Sequence, residues 1–216
     1  MIYGEEEWNR IKSIEIGDVY TFGTYEQDNN ATNGKENIEW IVIEKEESNI
    51  LVISKYALDC QPYNEEYESV TWETCTLRSW LNSDFYHAAF SDEEKSAIMQ
   101  TNVTADKNPE RSTNPGNSTK DNVFLLSITE AGKYFSDADA RRCAPTAYAI
   151  VQGAWTSNSY KTASGEAACW WWLRSPGGTQ YYAADVSDGG SVYCGGRYVY
   201  RDFVCVRPAL WINLAS

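Results

Sequence analysis

The sequence predicts a single α+β domain with a mostly antiparallel sheet and long loops, and three features predict it. Residues 169–214 alternate small or apolar positions with large polar or aromatic ones, and a period of two puts each set on its own face of a strand. Upstream, Leu77, Trp80, Leu81 and Phe85 recur at spacings of three and four, which is one face of a helix. Stretches rich in Asn, Pro, Gly and Ser separate these segments, and 216 residues are ample for one core.

Taken in order, residues 16–24 (IGDVYTFGT) and 39–43 (EWIVI) read as strands joined by a solvated loop over 26–37. Asn49–Ser54 (NILVIS) pairs with the second strand across Glu46-Glu47-Ser48, which makes a three-strand meander. Residues 58–74 are irregular, and Thr76 starts the helix that runs through Phe85. Ser91 with Glu94 is a capping box that opens a short helix toward Ile98. Residues 105–121 read as a long mobile loop. A short buried strand is expected over 123–128, then a second capping box at Ser127 and Glu130 starts a helix through Ala131, Tyr134 and Phe135. Residues 137–143 and 145–152 continue as helical pieces, and 153–166 are a polar connector.

A formal net charge of −13 with no basic block argues against nucleic acid and anionic membrane as partners, because phosphate contacts need clustered Lys and Arg. No apolar run reaches the length of a membrane span. Residues 1–13 (MIYGEEEWNRIKS) have neither the basic nor the apolar region of a secretory signal. The six cysteines are scattered without a CxxC pair and are expected as reduced thiols.

No catalytic constellation stands out. The one histidine, His87, has no second His or Cys at ligand spacing, and the common nucleophile, zinc and phosphate-loop motifs do not occur. Asp185, Asp188 and Asp202 are expected at a turn or on the surface. The reading is a protein that is not an enzyme, with no cofactor and no metal.

What the C-terminal segment offers instead is a surface. Trp171, Leu173, Ala184, Val186, Val192, Val199, Val204, Val206, Leu210 and Ile212 are expected to face inward. Tyr181, Tyr182, Ser187, Tyr193, Cys194, Arg197, Tyr198, Tyr200, Arg201, Asp202 and Phe203 are the candidate ligand-binding positions. A tight hairpin at Asp188-Gly189 should gather them on one face. Tyr with Ser and Gly is the composition of antibody combining loops, rigid contact area beside adaptable hydrogen bonding. Of Trp170, Trp171 and Trp172, the middle one should face away from its neighbours, with all three packing core and rim. Arg174 and Arg207 are expected to make structural hydrogen bonds or meet a carboxylate.

The motifs WWLRSPG, AADVSDGGSV and VRPALWINL resemble the C-terminus of a bacterial and phage family with the C-type lectin fold. That family lies near the formylglycine-generating enzymes, and some of its members resemble the variable proteins of diversity-generating retroelements. The resemblance implies a C-type lectin fold over 1–216, its two main helices being the Leu77 helix and the one after Ser127. It implies a display segment over 175–207, rewritten by mutation of AAC codons to NNC. Such codons never encode Trp, Met, Lys, Glu or Gln, and between 176 and 207 only Gln180 breaks that rule. The implied partner is a protein or cell-surface ligand, met in the cytoplasm or on a phage particle. Cys205 departs from the pattern, since a small residue, usually Gly, is expected before Val206-Arg207-Pro208. Two rivals follow from the same resemblance. One is a copper cysteine oxidase using Cys194 and Cys205, and the other is carbohydrate binding without calcium on the aromatic faces.

Overall fold

The computed structural model describes residues 13–215, so the stretch read for a secretory signal lies outside the described residues save for Ser13. In chain order the strands are β1 (Val19–Tyr25), β2 (Glu36–Glu46), β3 (Asn49–Ser54), β4 (Asp59–Cys60), β5 (Ile98–Met99), β6 (Thr101–Val103) and β7 (Thr119–Asp121). They continue as β8 (Thr156–Lys161), β9 (Ala167–Cys169), β10 (Trp171–Pro176), β11 (Tyr182–Val186), β12 (Val192–Tyr198), β13 (Cys205–Val206) and β14 (Ala209–Asn213). The first sheet is five-stranded and antiparallel, in the order β1-β2-β3-β14-β5. The second, also five-stranded, has the order β12-β11-β10-β13-β4, with one parallel pair, β10 beside β13. Two small ribbons, β6-β7 and β8-β9, complete the pairing.

This architecture corrects the expected fold class. The protein is mostly β, built on two larger sheets, and its described helices run only four to seven residues each. It is not the α+β C-type lectin arrangement with two main helices. The helix expected from Thr76 does form: Thr76–Trp80 passes through a π-helical turn, Leu81–Phe85, into Tyr86–Ala89. Its buried line is Leu77, Leu81, Phe85 and Ala89. A strict step of four drifts around a 3.6-residue helix, and the wider π turn takes up that drift. The second expected helix is only Ile128–Tyr134; both capping boxes are present, but Phe135 turns extended and ends it. Both local caps and the short helices they open lie where the sequence places them.

Two short links cross directly between the sheets. Residues 55–58 lead from β3 to β4, and Arg207-Pro208 leads from β13 to β14. Hydrogen bonds Ser54 N→Pro208 O (2.9 Å) and Leu58 N→Val206 O (3.0 Å) tie the two crossings together. One core runs through both sheets, with Trp40, Trp171 and Trp172 fully buried. β10 is central and covered on both faces, which is why adjacent tryptophans are both inside. Trp171 donates to Arg141 O and meets Phe135, whereas Trp172 donates to Gln61 O and meets Tyr63. The expectation of opposite faces holds for that pair, and Trp170 is left half-buried beside them.

The two flanking arginines are buried braces. Arg174 pairs with Glu130 and donates to Leu125 O at 2.9 Å and Thr104 O at 3.2 Å. Arg207 donates to Ser54 O at 3.0 Å, between the rings of Trp171 and Phe135. The loop over 105–121, expected to be mobile, is instead pinned. Asn108 is buried and donates to both Pro176 O (2.9 Å) and Cys194 O (2.7 Å), and Thr113 donates to Gly177 O (2.9 Å). The expected strand over 123–128 reduces to a buried run with one bridge, Phe124 to Ala209.

Candidate functional site

The β11–β12 hairpin forms the open edge of the second sheet. Its turn is longer than a two-residue one: Val186 faces Val192, and Ser187 and Ser191 close the loop through Ser187 N→Ser191 O at 2.8 Å. The residue with positive φ is Gly190, not Asp188 or Gly189. A Cβ there would lie 1.7 Å from Ala138 O, so the turn is seated directly on a neighbouring backbone. Ser187, expected on the display face, is a turn residue whose Oγ accepts from Ser191 N.

Simple alternation fails on β12. Ala183 faces Arg197 and Asp185 faces Tyr193, so two steps on β11 oppose four on β12. The excess is a bulge at Cys194-Gly195-Gly196, where Gly196 takes φ +74° close against Ala183 O. Cys194, beside outward Tyr193, is buried, contrary to its expected place on the surface, and Val192 is only half-buried. Tyr181, Tyr193 and Tyr200 are 40%, 50% and 38% exposed and Ala184, Val186 and Val199 are at 0%, as expected, whereas Asp185, expected at a turn or on the surface, is fully buried. Asp202 is exposed, and Tyr182, Arg197, Tyr198, Arg201 and Phe203 are half-buried.

These side chains join a continuous belt of rings. Trp155 stacks on Trp170 (4.4 Å between centroids), and Trp170 meets Phe203 (5.5 Å). The Arg201 guanidinium bridges Phe203 and Tyr200 at 5.7 and 5.3 Å. Tyr200 meets Tyr67 (5.4 Å), which in turn meets Tyr198 (5.6 Å) and Tyr181 (5.0 Å). Tyr182 stacks on Tyr198 at 4.4 Å. Between Glu65, Tyr67, Tyr198 and Tyr200 lies an open pocket of about 440 Å³. Tyr67, Trp155 and Glu65 were missed in the sequence because they arrive from loops far from the C-terminal segment. An isolated Tyr within the acidic run NEEYES was the available signal.

Arg197 lies at the foot of the belt, its guanidinium 3.8 Å over the Trp170 ring and its Nε donating to Asp185 Oδ2 at 2.9 Å. Asp185 is fully buried, and among the described residues its Oδ1 has no hydrogen-bond partner. Burial pushes its carboxyl up to about 6 against the pull of Arg197. Asp188 accepts from Trp170 Nε1 at 2.9 Å, so it and Asp185 both flank the stacked Trp170–Arg197 pair.

All six cysteines are free and buried. Four form a line through the core: Cys143 and Cys205 each reach Cys169, and Cys205 also reaches Cys60, its cross-strand partner. Burial pushes Cys143 and Cys205 up. Burial opposes ionisation of Cys169 too, but hydrogen bonds from Cys143 and Cys205 and the charge of Arg207 outweigh it, and its thiol lies below the usual range. Cys194 stands apart on β12, three strands from β13, which at about 4.8 Å per strand is on the order of 14 Å. His87 is exposed at the end of the helical run against Tyr86.

A β-rich scaffold carrying an aromatic edge surface is the class that this geometry defines. Residues 47–214 match the family described as Domain of unknown function (DUF6273), and the chain belongs to that family. The matched span opens just before β3 and closes at the end of β14, two strands that pair with Asn49 opposite Asn213; β1 and β2 extend the same sheet beyond it. No curated protein and no solved structure matches the chain. Among the described residues, no helix is long and apolar enough to cross a membrane.

Proposed function

We propose that this protein is a non-enzymatic binding protein whose hairpin edge displays variable side chains to a protein or cell-surface ligand. The observation that carries the reading is the contrast within one short segment: exposed Tyr181, Tyr193 and Tyr200 stand on fully buried Ala184, Val186 and Val199. Large rings held by a closed backbone lose little freedom on contact, and Tyr, Trp and Arg dominate interface energies. The pinned loop over 105–121 adds to that order through Asn108 and Thr113.

Gln180 supports diversification by adenine rewriting. It is the one residue between 176 and 207 that an NNC codon cannot encode, and it works as scaffold. Its carbonyl accepts from Val70 N at 3.0 Å, its Oε1 from Ser69 Oγ at 2.9 Å, and its Nε2 donates to Asn114 O at 3.0 Å. A position with three fixed partners is one that a randomising system must spare.

The rivals gain less. An oxidase pair at Cys194 and Cys205 needs adjacent thiols, and two strands, β11 and β10, lie between theirs. A sugar platform needs a free ring face, whereas Trp170 has Trp155 stacked on it and Arg197 3.8 Å over its ring. The test is the DNA around the gene. A near-copy of the segment for 175–207, differing only at adenines beside a reverse transcriptase gene, is expected. Differences spread over all four bases would remove diversification from the account.

A further inference from the structure

The pocket between Glu65, Tyr67, Tyr198 and Tyr200 points to the chemistry of the partner, an inference that rests on the display reading. We infer that it receives a basic side chain, arginine in first place, from the surface of a partner protein. Three observations carry this. First, the walls are π faces and a carboxylate. Tyr67 stands at 72° and 86° to Tyr198 and Tyr200, which lie at 30° to each other, so faces and edges meet around the opening. Ring faces carry negative potential and attract cations.

Second, the charge is complementary. Glu65, Glu66 and Glu68 flank Tyr67, all exposed, and among the described residues none of the three carboxylates takes an ion pair. Arg201 is the one cation of the belt at this end, 5.3 Å from the Tyr200 centroid. Three negative charges against one positive leave a local excess on a chain that already carries −13. Third, the same surface already holds guanidinium groups on rings: Arg197 lies over Trp170 and Arg201 over Tyr198 and Tyr200. The pocket repeats that chemistry: Arg201 lies against two of its walls, and the open space beside Glu65 and Tyr67 is left for a second guanidinium from outside. Its openness to solvent suits the tip of a side chain presented by another protein, since a planar guanidinium stacks on a tyrosine face while its N–H groups reach a carboxylate.

The experiment titrates the full chain, by calorimetry at physiological ionic strength, with a synthetic peptide of alternating arginine and serine and with its glutamate–serine counterpart. The arginine peptide is expected to bind and the glutamate peptide not. Tyr67→Leu and Glu65→Gln should each weaken binding by roughly two- to fivefold, the range that an exposed cation–ring contact supports. Tyr67→Phe should keep the affinity, and Glu93→Gln, an exposed acid on the helix Asp92–Ala97, should leave it unchanged. The inference is overturned if Tyr67→Leu has no effect, or if Glu93→Gln weakens binding as much as Glu65→Gln. Either result means diffuse attraction to an acidic protein. Binding of neither peptide, or of both equally, also overturns it. That outcome leaves the display reading standing, whereas unfolding of Tyr181→Ser and Tyr200→Ser would strike the display reading itself.

Discussion

Replacing Asp185 with asparagine removes a carboxyl that is fully buried in the second sheet, with one oxygen on Arg197 and the other, among the described residues, without a hydrogen-bond partner. Its value of about 6 in the folded protein stands against 3.8 for an ordinary aspartate. A gap of about two pK units, at about 1.4 kcal/mol each, corresponds to about 3 kcal/mol. The sign follows from proton binding. Between the two values the folded state holds the proton more tightly than the unfolded chain, so the wild type loses stability as pH rises from about 4 through 6. Most of the loss is complete by pH 7, and the part that falls between pH 5 and pH 7 is about 1 kcal/mol. Asparagine has no such proton to lose. Urea unfolding of both proteins at pH 5, 6, 7 and 8 isolates the effect as the difference between them. The loss of Arg197 pairing adds a nearly constant offset, so the slope is diagnostic. The variant should gain about 1 kcal/mol on the wild type from pH 5 to pH 7 and nothing further by pH 8. A flat difference would refute the raised carboxyl, since a carboxyl held below 3.8 by Arg197 would change stability only below about pH 4.

Other expectations follow from the same contacts. Gly190→Ala should prevent folding or lower the melting temperature steeply, because its Cβ would fall 1.7 Å from Ala138 O; a melting curve close to wild type would refute the seating of the turn. Glu130→Ala leaves Arg174 buried with only the more distant Asp106 carboxylate, at 3.4 Å, as its ion partner, and should cost about 3 kcal/mol in chemical unfolding. Cys205→Ser puts a hydroxyl among buried thiols and should cost about 1–3 kcal/mol. With the native protein, a thiol reagent should react slowly at all six cysteines and rapidly once urea unfolds it.

What was legible in the chain was what local chemistry determines. β3 lies at the expected residues, because NILVIS is a short apolar run bounded by Glu47-Ser48 and Lys55. Both capping boxes closed, since each needs only a serine and a glutamate three residues apart. Val186 and Val199 lie inside and Tyr193 and Tyr200 outside, as expected. No single period of two gives that set, because Tyr193 and Tyr200 are seven residues apart, and a bulge at Gly195-Gly196 adds two residues to β12 between them. Cys194, expected as a binding position, is buried on the side that period two gives a neighbour of outward Tyr193. Trp172 was left at the rim because a central strand covered on both faces has no outward side to read. The fold class failed for a different reason: a cap marks where a helix starts, and tertiary packing decides where it stops. Tyr67 and Trp155 reach the belt by long-range packing, which no local pattern carries.

The central claim is that this hairpin is a rigid scaffold under side chains free to vary. Its most direct test is a pair of libraries sorted for protease resistance. One randomises Tyr181, Tyr193, Tyr200, Arg201 and Asp202, and the other randomises Ala183, Ala184, Val186, Val199 and Val204. Exposed substitutions typically change stability by within about half a kcal/mol, so most members of the first library should survive at the wild-type level. Buried polar or charged replacements cost several kcal/mol, so few members of the second should survive. Equal survival of the two libraries, or greater survival of the second, would contradict the account.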